Sequence, residues 1–145
     1  MKRPIAVLMI LAVVCCVLPS ISHSEPPNKE HPSAEVRKLM REKLTCSQKL
    51  LEAVVTEDYR SVSDNAKRLA RLSTDRDWKV LPNIEYSQHS LEFTRAVDAL
   101  HTAAEDKNGD AVSLAYVNMT MKCIYCHKYV RKARMARASA ESLFR

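Results

Sequence analysis

The sequence has few of the residues that interrupt helices. Its 145 residues include one glycine, Gly109, and six prolines, and aromatic residues make up only 6% of the chain. Runs of β-branched residues are short, whereas alanine, leucine, lysine, arginine and glutamate are abundant. Gly and Pro break helices most strongly, and the abundant residues favour them. The composition therefore predicts an all-α protein and argues against a sheet.

The amino terminus is typical of an export signal. A short basic start precedes an apolar run from Ile5 to Leu18, which is too short to span a bilayer comfortably. Ser22 and Ser24 are small residues of the kind that signal peptidase requires, and they predict cleavage ahead of Glu25. Cleavage after Ser22 is an alternative. We expect residues 1–24 to be a signal peptide that directs the chain to the periplasm.

Two alternatives to a cleaved signal peptide would attach the chain to a membrane. Cys15 or Cys16 could carry a lipid, but the residue before a lipidated cysteine should be small, and here it is Val14 or Cys15. An uncleaved apolar run would instead tether the chain to the membrane. We expect neither arrangement, and no stable membrane association.

Cleavage changes both the charge and the cysteine count. Loss of two basic residues lowers the formal net charge from +6 to +4, so the basic composition does not indicate nucleic-acid binding. The remaining cysteines are Cys46, Cys123 and Cys126, and an odd number does not suit a disulfide framework. Cys46 is expected to be a small buried apolar residue. The remaining length fits one domain.

Four segments carry apolar residues at helical spacing. We predict helices from about Pro32 to Val55, from Tyr59 to Ser73, from Ile84 to Glu105, and from a cap at Asp110 to beyond Arg134. Their predicted buried stripes are Val36, Met40, Leu44, Ser47, Leu51 and Val54; Tyr59, Val62, Ala66, Leu69 and Ser73; Tyr86, Ser90, Phe93, Val97, Leu100 and Ala104; and Leu114, Val117, Met121 and Ile124.

Mostly short connections between these helices favour an antiparallel up-down four-helix bundle. The segment from Trp78 to Asn83 is a connector that contains Pro82, and a turn at 107–109 joins the last two helices. We expect residues 25–31 to be a flexible lead-in and residues 32–145 to form the bundle domain.

The last predicted helix contains the pentapeptide Cys123-Ile124-Tyr125-Cys126-His127. On a helix, side chains at positions i, i+3 and i+4 lie on one face. Two thiols can then add to the vinyl groups of a haem while the imidazole binds its iron, and this spacing is the signature of c-type haem attachment. The motif therefore predicts one covalent haem c per chain, with Cys123, Cys126 and His127 holding it.

Two other uses of a Cys-x-x-Cys pair fit the sequence less well. A structural zinc site usually needs four ligands from two separated pairs, and no second pair follows residue 24. A thioredoxin-like redox pair would belong to an alternating α/β pattern, which this sequence lacks. The predicted export signal agrees with haem attachment, because c-type haem attachment requires export of the chain.

In its haem motif and helix pattern the chain resembles the cytochrome c′ and cytochrome c-556 family of four-helix-bundle cytochromes. The resemblance covers nearly all of the chain after residue 24. In that family an aromatic residue and an arginine usually follow the histidine by three and four positions; here Arg131 matches the arginine, Val130 stands at the third position, and the aromatic residue is Tyr129. The resemblance implies a haem-facing residue on the first helix.

Met40 is the candidate for the second axial ligand of the iron. It is the only methionine between residue 24 and the haem-bearing helix, and it lies on the predicted apolar stripe of the first helix. The region around it is similar to the stretch in which c-556-type proteins carry an axial methionine. Met40 could instead be an ordinary residue of the hydrophobic core. His89 or His101 could provide a second imidazole ligand in its place. Of these alternatives we favour Met40 as the ligand.

The segment from Lys122 to Arg137 contains six basic residues and no acidic ones. This pattern fits either a rim that attracts an acidic redox partner or a solvated helix end that complements the helix dipole. Arg131, one turn after His127, is the candidate for contact with a haem propionate or with the histidine side.

Two functions fit these features. The first is a one-electron carrier with His/Met axial ligation, and the second is a five-coordinate c′-like protein that binds nitric oxide or carbon monoxide. No residue pattern indicates an enzyme, and the resemblance raises the possibility of a homodimer only by analogy.

Overall fold

The computed structural model describes residues 32–74 and 81–144. The predicted signal peptide, the lead-in at 25–31 and residues 78–80 of the predicted connector lie outside these residues. The described chain forms four helices: α1, Ala34–Val55; α2, Tyr59–Leu72; α3, Ile84–Glu105; and α4, Gly109–Leu143. The predicted number and order of helices are confirmed, and no described residue lies in a strand.

A polar side chain caps the start of every helix. Ser33, Asp58, Asn83 and Asn108 each accept a hydrogen bond from a backbone N–H in the first turn, with distances of 2.8–3.2 Å. Such caps satisfy donors that have no partner within the helix. The predicted cap at Asp110 is wrong: Asn108 caps α4, and Asp110 lies in the first turn. Pro32 likewise precedes the cap of α1.

The two short helix-to-helix turns share one backbone geometry. Glu57 and Lys107 adopt left-handed conformations, with φ values of 54° and 51°. The next residue in each turn donates its N–H to a carbonyl five positions earlier: Asp58 to Ala53 at 2.9 Å, and Asn108 to Ala103 at 3.1 Å. This is a Schellman-type helix end. Because the donating residue also caps the following helix, each turn reverses the chain in very few residues.

Consecutive helices pack closely, which gives the bundle its order. The Nζ of Lys122 on α4 lies 3.1 Å from a carboxylate oxygen of Glu92 on α3, and the Tyr129 hydroxyl donates to Asn83 at 3.0 Å. Higher numbers on one helix therefore pair with lower numbers on the other, as antiparallel helices require. The α1 and α4 helices contact each other much more sparsely than the three consecutive pairs do. We call their line of contact the α1–α4 seam.

The core confirms two predicted stripes and corrects two. In α2, Val62, Ala66 and Leu69 are buried, and in α3, Phe93 and Leu100 are buried, as expected. In α1 the buried residues are instead Leu39, Lys43, Cys46, Leu50 and Ala53, and in α4 they are Val112, Met119 and Cys126.

In both corrected helices, part of the predicted apolar stripe faces outwards and the rest is half-buried. Leu44 is 59% exposed and Leu114 is 72% exposed; Leu51, Val117 and Ile124 are exposed as well, whereas Met121 is half-buried. The buried stripe of α1 contains a lysine and a cysteine, which made it the weaker candidate by hydrophobicity alone. Only its packing against α2 and, more sparsely, α4 identifies it.

The α4 helix is much longer than its neighbours. Its 35 residues correspond to about 52 Å, whereas the 22 residues of α1 and α3 correspond to about 33 Å. Since Tyr129 is level with Asn83 at the start of α3, residues 130–143 continue beyond that end of α3. No helix among residues 32–74 and 81–144 is long and apolar enough to cross a membrane.

Candidate functional site

The Cys-x-x-Cys-His motif lies within α4, near the start of α3. Cys126 is 6% exposed, Cys123 is half-buried and packs against the core, and His127 is exposed. All described cysteines are free thiols. Burial raises the pKa of both motif cysteines, so the thiols are protonated at neutral pH. The two sulfurs therefore face the interior, while the imidazole is accessible to solvent.

A lysine that the sequence analysis overlooked lies beside these thiols. Lys43 of α1 is only 7% exposed, and its Nζ lies 4.3 Å from the centroid of the Phe93 ring. Burial lowers the Lys43 pKa from 10.5 to about 7, although the negative charge of thiolates at Cys123, Cys126 and Cys46 would act in the opposite direction. An amine and two motif thiols thus share one environment across the α1–α4 seam.

The spacing of α1 contains the signal that would have identified Lys43. Leu39, Lys43, Cys46, Leu50 and Ala53 follow one another at intervals of four and three residues, which defines one helix face. A lysine in the middle of such a face is unusual, because lysines are almost never fully buried. An interpretation based on hydrophobicity alone assigns the lysine to the surface and misses it.

Met40 lies one helical turn before Lys43. It is half-buried and packs against the core cluster, so part of its side chain is shielded from solvent. A second contact locates this part of α1 relative to α4: the Tyr116 hydroxyl donates to the Ser47 carbonyl at 3.3 Å. Because the helices are antiparallel, residues earlier than Ser47 lie level with residues later than Tyr116. This register places Met40 at the level of the motif.

The other candidate residues occupy different places. Arg131 is exposed on α4, one turn beyond His127. His89 packs against Tyr129, with ring centroids 5.2 Å apart. His101 lies between α2 and α3, where its Nδ1 is 3.1 Å from the Ser63 hydroxyl. The twelve positions between the two histidines correspond to about 18 Å along α3, so they belong to separate surroundings.

Cys46 is buried, at 2% exposure, and burial raises its pKa. The prediction that Cys46 is buried is confirmed. Its thiol lies on the same face of α1 as Lys43.

The basic segment of α4 is less uniform than its sequence indicates. Lys122 forms its ion pair with Glu92, so the first positive charge is partly balanced by a neighbouring helix. Lys128, Arg131 and Lys132 are exposed and follow the motif directly. The cationic surface therefore begins at the motif and continues along the part of α4 that extends beyond α3.

Comparison with known proteins adds no relative. No protein-family model matches the sequence, and neither the curated proteins nor the solved structures gave a match. Among residues 32–74 and 81–144, no group of three or more His, Cys, Asp or Glu side chains is arranged to hold a metal ion.

Proposed function

We propose that this chain is an exported c-type cytochrome that carries one covalent haem and transfers single electrons between proteins. The observation that carries the proposal is the position of Cys123 and Cys126: two reduced thiols, one turn apart, on the inner face of α4 beside the α1–α4 seam. Their spacing suits the two vinyl groups of a haem, and His127 follows at the position from which an imidazole can bind the iron.

The surroundings of the motif fit such a group in two respects. The α1–α4 seam is the least tightly packed of the interfaces between adjacent helices, so it can admit a planar macrocycle without separating the three well-packed pairs. The motif region also faces apolar core residues, and an apolar shell limits the access of water to a metal centre. When bound, the haem would supply an iron that accepts and releases one electron.

Each protein residue has a specific part in this proposal. Cys123 and Cys126 hold the haem through thioether bonds, and His127 provides the nitrogen ligand. Met40 would provide the second ligand from α1, because it is half-buried on the helix across the seam and level with the motif, whereas Met121 lies on the motif-bearing helix itself. A thioether ligand opposite the histidine raises the reduction potential relative to two histidines.

The exposed cations after the motif support an acidic redox protein as the partner. Lys128, Arg131 and Lys132 are exposed on α4 directly after the exposed His127, near which an electron would enter or leave. Opposite charge accelerates encounter and orients the two proteins, and the effect weakens as salt is added. Residues 1–24 direct the chain to the periplasm in this proposal.

The first test is covalent attachment of haem. The full chain is expressed in cells that mature c-type cytochromes, denatured, separated on a gel and stained for haem. We expect one haem per chain in the wild type and no retained haem in the Cys123→Ser/Cys126→Ser variant. Cys46→Ser is the matched control, because it removes another buried thiol outside the motif. Absence of haem from the denatured wild-type chain would exclude a c-type cytochrome.

The second test concerns the ligand from α1. If Met40 binds the iron, the ferric protein is low-spin and shows the weak long-wavelength band of methionine-to-iron charge transfer. Met40→Ala should remove the band, lower the reduction potential and allow carbon monoxide to bind the ferrous form. Met135→Ala is the control, because Met135 is exposed far along α4. A high-spin wild-type protein would favour the five-coordinate, gas-binding function.

A further inference from the structure

We propose that Lys43 is a second ligand residue of the distal haem site: its amine binds the ferric iron when the Met40 thioether does not. The inference rests on the proposed function. It concerns a residue that the Cys-x-x-Cys-His motif does not specify, and it adds a nitrogen ligand to the sulfur ligand of α1.

The location of Lys43 is the first argument. Its side chain is buried on the inner face of α1, close enough to Cys123 and Cys126 for its charge to influence both thiols. In the proposed function, two thioether bonds would attach a haem at those sulfurs. Lys43 lies across the seam from these sulfurs, so it would face a haem that α4 held there, and Met40 lies on the same helix one turn away.

The reach and mobility of the side chain are the second argument. A lysine carries its nitrogen on a flexible four-carbon stem, so it can adjust to a metal more readily than a shorter or branched side chain can. In the structure the Nζ lies 4.3 Å from the centroid of Phe93 on α3, a cation–π distance. The contact holds the nitrogen in the interior instead of letting it extend along the helix into solvent.

The protonation of the amine is the third argument. Only a neutral amine has the lone pair that a metal needs, and burial brings the Lys43 pKa down to about 7. The titratable groups whose charge reaches Lys43 are Cys46 on its own helix and Cys123 and Cys126 on α4, while α3 contributes the Phe93 ring. Thioether formation removes both α4 thiols as acids, so they can no longer favour the ammonium form.

The experiment compares ferric variants of the haem-loaded full chain by electron paramagnetic resonance and visible absorption at one mildly alkaline pH. We expect Met40→Ala to lose the charge-transfer band but to remain low-spin, with the signal of nitrogen ligands on both sides of the iron. Met40→Ala/Lys43→Arg should become high-spin, because arginine keeps a buried cation but does not lose its proton. Met40→Ala/Lys49→Ala, which removes an exposed lysine of α1, should remain low-spin.

Two results would overturn the inference. One is a high-spin Met40→Ala protein, which would show that no residue replaces the methionine. The other is a low-spin Met40→Ala/Lys43→Arg protein, which would assign the replacing ligand to another residue. Circular dichroism checks that each variant is helical, and Lys43→Gln takes the place of Lys43→Arg if that variant does not fold. The haem-stained gel tests the proposed function separately from this inference.

Discussion

Replacing Lys43 with methionine should stabilise the haem-free chain. Methionine matches the length and flexibility of the lysine stem but carries no charge, so the variant retains the packing of α1 while removing a buried amine. In the wild type, folding must either bury the ammonium beside Phe93 or release its proton. Either route costs free energy at a pH where the unfolded chain holds that proton.

The lowered pKa of Lys43 sets the size of this cost. A fall of the Lys43 pKa from 10.5 to about 7 corresponds to a loss of at most about 5 kcal/mol in the free energy of unfolding, at about 1.4 kcal/mol per tenfold change in the proton-binding constant. Between these two values the unfolded state binds more protons than the folded state, so the free energy of unfolding rises with pH. The penalty is complete below about pH 7 and fades as the pH approaches 10.5.

The assay is urea unfolding of the haem-free chain, produced without residues 1–24 and followed by circular dichroism. We expect Lys43→Met to raise the free energy of unfolding by a few kcal/mol at about pH 6, and by clearly less at about pH 9. Lys49→Met is the control, because Lys49 is exposed on the same helix and should show neither effect. Equal gains at both pH values would refute the assignment of the cost to a buried amine.

Two further predictions follow from α4 and its preceding turn. Arg131→Ala should leave the haem attached but lower the reduction potential, since a cation one turn from His127 disfavours the extra positive charge of ferric iron; a potentiometric titration that shows no change would place Arg131 outside the influence of the iron. Lys107→Gly should raise the free energy of unfolding by about 1 kcal/mol, because glycine adopts the left-handed conformation of that turn without the cost that other residues bear. Thermal unfolding measures this gain, with Asp106→Gly, at a position of ordinary helical conformation, as the destabilising control.

The four helices were predictable because the chain marks their ends clearly. Scarce glycine and proline left long uninterrupted segments, and the observed α3 begins and ends at the predicted residues, Ile84 and Glu105. The backbone conformation of the turn between α3 and α4 was harder to predict. Gly109 is the obvious candidate for a left-handed residue, yet it belongs to the helix, and Lys107 adopts that conformation. The backbone hydrogen bonds of the turn decide this, not the intrinsic preference of glycine.

The candidate site was predictable only where its residues are close in sequence. The motif could be predicted from the spacing of Cys123, Cys126 and His127 within one helix. The contribution of α1 depends on which of its apolar stripes faces inwards, and that choice arises from its packing against α2 and, more sparsely, α4. Lys43 could not be recognised before its neighbours were known, since a lysine between Glu42 and Leu44 resembles many surface lysines.

The sparse contact between α1 and α4 implies an uneven distribution of local opening. Amide hydrogens of α2 and α3 should exchange slowly with solvent, because each of these helices packs closely on the helix before it and the helix after it. In contrast, α1 can separate from α4 while the three interfaces between consecutive helices stay intact. In the proposed cytochrome, such opening would expose Cys123 and Cys126 to a haem and to the machinery that attaches it. Once attached, the haem would hold the two helices together, so maturation would convert the loosest interface of the bundle into its most strongly connected one.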